Sequence, residues 1–472
     1  MTAPTRPRHD GRRWQLRLPN GWPLTALFVL YPLWWALGLD AFIFDIVAVP
    51  MAFQLIRRGR IRVPAGFGIW LVLLFWVVLS GLMLGVTAPG TVPPHGFGRY
   101  LAWALRTLDY LSATTVMLYV LNLDRGEENQ RRTVRLMGFL AVVTIVGGYV
   151  GALVPQLRFT APLKHLLPHA IASDHYVAQL MLVEVAQVQD VLGGGKLPRP
   201  SAPFEFTNTW GENLAILLIW LVVGWVAFGG YRRRRLGYLL LVAALFPIVY
   251  SLNRGLWIGL GIAVGYVAVR LALRGRTATL AGLALAASLA GLAVLATPLG
   301  DTIAARARHG HSNEIRSTLN ARTVAAANYS PILGYGGNRA LIGANKSIAI
   351  GKSANCRQCG NRELGSDGQF WTNLVGQGWP AVLCYNGFFL YALWRYRRDH
   401  SVIGIAGSLV IVLMLFFQFL YGALPTTLAY GLISVALLAR NDGQVRAAHR
   451  RLVEAAVRVP RQRSAMPQPV RV

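Results

Sequence analysis

Apolar positions along this chain gather into long runs separated by short polar or basic stretches. A helix needs about 20 apolar residues to cross the hydrocarbon core of a bilayer. By that measure the runs predict twelve spans, near 22–38, 40–56, 65–86, 100–122, 136–157, 209–229, 236–252, 254–273, 278–298, 370–393, 403–422 and 425–440. The first two are short, and a tight turn is expected between them at Gly38-Leu39-Asp40. The pattern predicts an all-α membrane protein.

The polar stretches order these spans. "RRGRIR" (57–62), "DRGEENQRR" (124–132), "YRRRR" (231–235), "RLALRGR" (270–276), "RYRRDH" (395–400) and the tail from Arg440 are basic. Short basic connections mark the cytoplasmic side, and an even number of spans with both ends cytoplasmic puts all six there. The chain then divides into a basic tail (1–21), a membrane domain (22–440) and a second basic tail (441–472). The opposite face carries a short loop, 87–99, and two large ones, about 158–208 and 299–369. In the first, "ASDHYVAQLMLVEVAQVQDVLGGG" places Val177, Leu180, Met181 and Val185 at helical spacing. An amphipathic surface helix is expected there, ended by glycines 193–195.

Composition agrees with this class. Of 472 residues 54% are hydrophobic and 14% charged, and mean hydropathy is +0.44, so a soluble globule is excluded. The formal charge of +28 would suit a nucleic-acid partner, but the arginines lie between apolar runs, where they act as topology signals. No nucleic acid is expected. The first twenty residues are basic and lack a small-residue cleavage site, which reads as a retained tail rather than a signal peptide.

Charge is most telling in the second large loop. It holds nine Lys/Arg, including Arg316, Arg322 and Arg339, against four acids, Asp301, Glu314, Glu363 and Asp367. Long loops escape the charge rule, so this excess points to an anionic ligand rather than to a different topology. Arg254, in "SLNRGLWIGLG", stands where span 7 passes to span 8 on the same face. Arg106 and Asp109, three residues apart in span 4, share a helical face and read as a structural ion pair. Several arginines without a dense carboxylate cluster suit a pyrophosphate held by guanidinium forks, with no metal and no cofactor. "GGGK" (193–196) lacks the Ser/Thr and the spacing of a phosphate loop and reads as a linker. "CRQC" (356–359) reads as a structural disulfide, with a zinc site shared with "HGH" (309–311) as an alternative. Cys384 reads as a small core residue, and His165, His169 and His175 as surface residues.

Four segments together resemble the O-antigen ligase and Wzy-type polymerase superfamily of bacterial envelope glycosyltransferases. "LGLDAFIFDIVAVPMAFQLIRRGRIRVP" looks like the family's second span, acidic at its outer start and basic at its exit. "RPSAPFEFTNTWGENLAILL" (199–218) is similar to its Arg…Phe…Asn lead into a span, with Arg199 and Asn208 at the matching positions. "SLNRGLWIGL" resembles its Ser-Arg-Gly signature, with Arg254 at the arginine. "RSTLNARTVAAANYSPILGYG" resembles the family's arginine, helix and Pro-x-x-Gly-x-Gly. Arg316 precedes Pro331 by the family's fifteen residues. The family then carries a His-Asn pair about eleven residues before a glycine; counting back from Gly378 lands on Asp367, and no histidine is nearby.

The resemblance implies a GT-C-like helical fold with its active site on the extracytoplasmic face of a bacterial inner membrane. The donor it implies is a polyprenyl-pyrophosphate-linked glycan, and the acceptor a hydroxyl of a glycan or lipid-linked molecule. Arg254 and Arg316, with Arg322, would bind the pyrophosphate. Asp367 is then the candidate base and Glu205 the reserve, while Glu205 and Asn208 also fit a helix cap and its neighbour. Two other functions stay open. One is a glycosyltransferase using a polyprenyl monophosphate sugar, for which the first outer turn offers only Asp40; the other is a transporter or flippase of lipid-linked glycans.

Overall fold

The computed structural model describes residues 21–124, 126–166, 181–189, 197–295, 311–342 and 363–458. The fold is all-α with small β-hairpins at one end. Its helices are α1 (Trp22–Val29), α2 (Tyr31–Leu37), α3 (Ile43–Arg57), α4 (Phe67–Leu79), α5 (Gly98–Asn122), α6 (Glu127–Leu153) and α7 (Thr207–Leu221). They continue as α8 (Tyr231–Tyr250), α9 (Arg254–Ala272), α10 (Thr277–Leu295), α11 (His311–Tyr329), α12 (Gln369–Tyr396), α13 (Val402–Phe417) and α14 (Thr426–Arg458). Among the described residues three helical stretches are long and apolar enough to cross a membrane: Glu127–Leu153, Thr207–Ala227 and Arg254–Ala272. Shorter apolar helices cover Phe67–Met83, Thr277–Leu289 and Val402–Phe417.

Pro32 divides the first run into α1 and α2, because proline interrupts the helical hydrogen-bond ladder. Gly38 then ends α2 in the left-handed conformation, its N–H bonded to the carbonyls of Trp34 and Trp35. In the interior α5 packs between α3 and α14, α6 lies on α7, α4 on α12, and α13 on both α9 and α14. Trp70 of α4 is fully buried against Tyr110, Tyr385, Phe388 and Phe389, and its Nε1 donates to Thr114 Oγ1 at 2.8 Å.

The basic connections meet at one end of the bundle. Arg58 pairs with Asp124 at 3.4 Å, Arg395 with Asp442 at 3.0 Å, and Arg270 donates to the Arg397 carbonyl at 2.9 Å. Arg131 stacks over Phe228, beside the start of α8. Arg440 donates to the carbonyls of Val120, Leu121 and Leu123, so a cation closes the negative end of α5. α14 continues unbroken past Arg440 to Arg458.

The first large loop departs from expectation. Its described part is not an amphipathic helix. β1 (Arg158–Thr160) pairs antiparallel with β2 (Leu182–Glu184), and β3 (Ala186–Gln189) with β4 (Leu197–Pro200). Met181, Val183 and Val185 are buried at alternate positions, the period of a strand. The letters "MLVEVAQVQ" support both periods. Burial against Trp35, Phe42 and Val150 selects the extended one. Val177, Leu180 and the glycines 193–195 lie outside the described residues. The second large loop does carry a helix, α11, followed by β5 (Arg339–Ala340), which pairs with β6 (Glu363–Leu364). The short loop joins them: Val92 N–H donates to Ala340 O at 2.9 Å and Ile342 N–H to Gly90 O at 3.1 Å.

The Pro-x-x-Gly-x-Gly turn after α11 docks into a break in α12. At Gly378 the backbone leaves helical geometry with φ 75°, which frees carbonyls one turn earlier. Tyr335 N–H takes Val375 O at 2.8 Å, Gly336 N–H takes Gly376 O at 2.7 Å, and Trp379 N–H takes Pro331 O at 2.8 Å. A Cβ on Gly334 would lie 2.6 Å from backbone atoms of residues 375–377. Irregular backbone inside an apolar bundle has to bond internally, and the turn and the break satisfy each other.

Candidate functional site

The site forms where α8 turns into α9. Leu252 adopts φ 51°, a left-handed conformation that is costly for a branched side chain and that turns the chain sharply. Asn253 then caps α9, its side-chain oxygen accepting from Leu256 N–H at 3.1 Å. Arg254 is the first helical residue and is half-buried. A cation at the positive end of a helix is electrostatically unfavourable on its own, and the two positive potentials add for an anion bound there.

Two remote segments close on this turn. Arg199 of β4 is only 5% exposed and donates from Nε to Ser251 O at 2.7 Å. Thr207, which opens α7, donates to Arg199 O at 3.1 Å and accepts from Asn253 Nδ2 at 3.4 Å. From the other side the Tyr421 hydroxyl donates to Asn253 Oδ1. Arg316 of α11 reaches Leu420 O at 3.5 Å, and both Arg316 and Arg199 act electrostatically on the Tyr421 phenol. Arg199 and Arg316 thus converge on Tyr421, and Arg254 directly follows Asn253, which Tyr421 bonds.

Asp367 borders the same segment. It is half-buried and immediately precedes Gly368, where a Cβ would fall 3.0 Å from Leu420 N. The next two residues are stitched to this segment, Gln369 N–H to Tyr421 O at 2.8 Å and Phe370 N–H to Gln418 O at 2.9 Å. The Gln369 side chain continues inward. Its Oε1 accepts from Ala423 N–H at 3.0 Å, and its Nε2 donates to Tyr110 at 2.9 Å and to Asn373 Oδ1 at 2.7 Å. Tyr110 donates to Asn373 Oδ1 at 2.8 Å, which completes a buried triad.

Other residues singled out in the sequence are not gathered here. Arg322 is exposed, at the edge of the α11 stripe that Leu319, Thr323 and Ala326 bury. Asn208 is half-buried and its side chain makes no hydrogen bond among the described residues; Thr207, one position earlier, makes the links. The α7 cap position is Phe206, so neither Glu205 nor Asn208 caps that helix. Glu205 keeps solvent access but has protein on most sides. That desolvation, and then the Asp40 carboxylate, pushes its carboxyl up to about 7. Arg106 points Nη1 toward Gly336 O at 3.5 Å while also attracting Asp109. Cys356, Cys359 and His309 lie outside the described residues, as do His169 and His175.

Tyr421, Thr207, Gln369 and Asn373 were not singled out in the sequence. Gln369, Asn373 and Gln377 recur every fourth residue in an otherwise apolar run, a readable polar stripe on one helical face. Tyr421 had no such signal. The chain matches no family model, no curated protein and no solved structure at a significant level. Chemically the arrangement offers guanidinium groups from three segments, a helix N-terminus, a phenol and a nearby carboxylate. That set suits an oxyanion beside a group that releases a proton.

Proposed function

We propose that this chain is a polytopic membrane glycosyltransferase of about twelve spans and GT-C-like architecture, similar in action to O-antigen ligases and Wzy-type polymerases. It transfers a saccharide from a polyprenyl pyrophosphate to an acceptor hydroxyl on the extracytoplasmic face of a bacterial inner membrane. The observation that carries this reading is that Arg199 and Arg316, from distant parts of the chain, converge on the Asn253–Tyr421 contact, which Arg254 directly follows.

In this mechanism the acceptor oxygen forms a bond to the anomeric carbon while the bond from that carbon to the phosphate oxygen breaks. The leaving pyrophosphate keeps the electron pair, and Arg254 and Arg316 stabilise the charge that develops on it. Arg199 holds the Ser251 turn and adds positive potential. Asp367 takes the hydroxyl proton. The test is transfer by purified protein with a defined lipid-pyrophosphate saccharide in the presence of chelator. Arg254→Ala and Arg316→Ala should each weaken donor binding and reduce turnover by roughly a hundredfold, the scale of losing one oxyanion-stabilising donor. Full activity in both variants, or a strict metal requirement, would sink the mechanism.

A second reading has its own observation. Asp40 acts electrostatically on Glu205 just before α7, an acidic pair of the type that suits a polyprenyl monophosphate sugar donor. Turnover with that donor, abolished by Asp40→Asn and indifferent to Arg316→Ala, would favour it over the pyrophosphate reading.

A further inference from the structure

A second group of arginines lies across the Tyr110–Gln369–Asn373 triad from the site above. Arg99 and Arg106 are seven residues apart on α5, so they share one stripe about 10 Å apart along the axis. Tyr110 of the triad follows one turn later on that stripe. Arg339, at the start of β5, is 6% exposed. Its Nη2 donates to Leu84 O at 3.2 Å and to Tyr335 O, with Met83 O and Val86 O at 3.5 Å. Its Nε has no hydrogen-bond partner, and neither has the buried Nε of Arg99. Arg106 lies against the docked glycine turn, 3.2 Å from where a Gly337 Cβ would stand.

The opposing charge is thin. Asp109 faces Arg106 and the exposed Glu363 faces Arg339. Among the described residues no carboxylate is within ion-pair distance of Arg99 or Arg339. Burial, followed by repulsion from Arg99 and Arg106, lowers the pKa of Arg339 from the ordinary guanidinium value. A structural strut would account for Arg339 alone, since it ties the 83–86 turn to Tyr335. It does not account for two further guanidiniums set beside a buried one. Like charges placed together cost free energy that a bound oxyanion offsets.

We propose that Arg99, Arg106 and Arg339 form a second oxyanion site, which holds a carboxylate or phosphate group carried by the acceptor glycan. This assignment to the acceptor rests on the glycosyltransferase reading; the binding site itself does not. The two arginine groups flank one triad, so donor and acceptor would be held by separate anionic handles on either side of it.

Calorimetric titration of the full chain in neutral detergent at low ionic strength, with inorganic pyrophosphate as probe, tests the site directly. The wild type should bind two equivalents, R99Q/R106Q one, and R254Q/R316Q one. R106K should retain the second equivalent with affinity reduced roughly tenfold, because a point charge replaces a fork. Competition by inorganic phosphate or by glucuronate at the second equivalent alone then distinguishes a phosphate handle from a carboxylate one. The equivalent remaining in R99Q/R106Q reports a folded first site. A single equivalent in the wild type that survives R99Q/R106Q, or two retained in R99Q/R106Q, would overturn the proposal, and so would a fall from two equivalents to none in that variant; a single equivalent that only R99Q/R106Q removes would leave the second site and overturn the first. If the glycosyltransferase reading alone is wrong, the stoichiometry stands while no transfer to acidic acceptors is detected.

Discussion

Gly255→Ala tests whether the Asn253–Tyr421 contact sets the geometry around Arg254. A Cβ at residue 255 would land on the Tyr421 hydroxyl oxygen, with Cζ of the ring 2.7 Å away and Cε2 3.0 Å away. The ring cannot simply swing aside, because its hydroxyl is bonded to Asn253 and its face packs on Phe417 with centroids 5.7 Å apart. Overpacking of this kind costs roughly 1–3 kcal/mol. Displacing the phenol also forfeits a buried hydrogen bond, worth about 1 kcal/mol net. Together these give about 2–4 kcal/mol for Gly255→Ala and about 1 kcal/mol for Tyr421→Phe. If the hydroxyl is the obstructing atom, the double variant should fall short of the sum by about 1–2 kcal/mol. Unfolding in mixed micelles, followed by tryptophan fluorescence for the four proteins, measures the cycle. Strict additivity would refute the reasoning, and so would a Gly255→Ala variant as stable as the wild type.

Three further outcomes are expected. Gly334→Ala has to hold a left-handed φ of 62° against backbone atoms at 2.6 Å; it should destabilise by about 3 kcal/mol or more, and unchanged thermal unfolding would contradict the docked turn. Asp367→Asn should reduce turnover at least a hundredfold with donor binding retained, and unchanged turnover would move the base to Glu205 or elsewhere. The Glu205 carboxyl rises from 4.5 in the free side chain to about 7 here, so the folded protein keeps its proton between those values while the unfolded chain has released it. Its stabilising contribution is therefore complete below about 4.5 and is lost as pH rises toward 7. Melting temperature should fall more steeply over that window in the wild type than in Glu205→Gln, and parallel curves would disprove the assignment.

The helical runs were legible because burial in an apolar bundle demands unbroken apolar letters, and most helix ends fall within a few residues of the run ends. The strands at 182–189 were not, since "MLVEVAQVQ" fits either period until a partner wall is present. The site divides the same way. Arg199, Arg254 and Arg316 stand out because cations beside apolar runs are rare and because their spacing resembles a known pattern. Thr207 and Tyr421 gave no signal. Each acts through a partner far along the chain, Tyr421 through Asn253 at a separation of 168 residues, and local sequence says nothing about such pairings. Arg322 shows the converse: its charge is legible, but its exposure depends on which elements pack against α11.

The docking of residues 331–337 into the break at Gly378 has a consequence for biosynthesis. As the chain leaves the ribosome, every basic residue of the central site is made by Arg316, and Arg199 can already bond Ser251, yet the contacts from the other side do not exist. Tyr335 and Gly336 wait for Val375 and Gly376, Arg316 waits for Leu420, and Asn253 waits for Tyr421. The site is therefore completed by the last part of the chain to be made. A nascent chain arrested before residue 420 carries the arginines but lacks the segment that Arg316 and Asn253 bond.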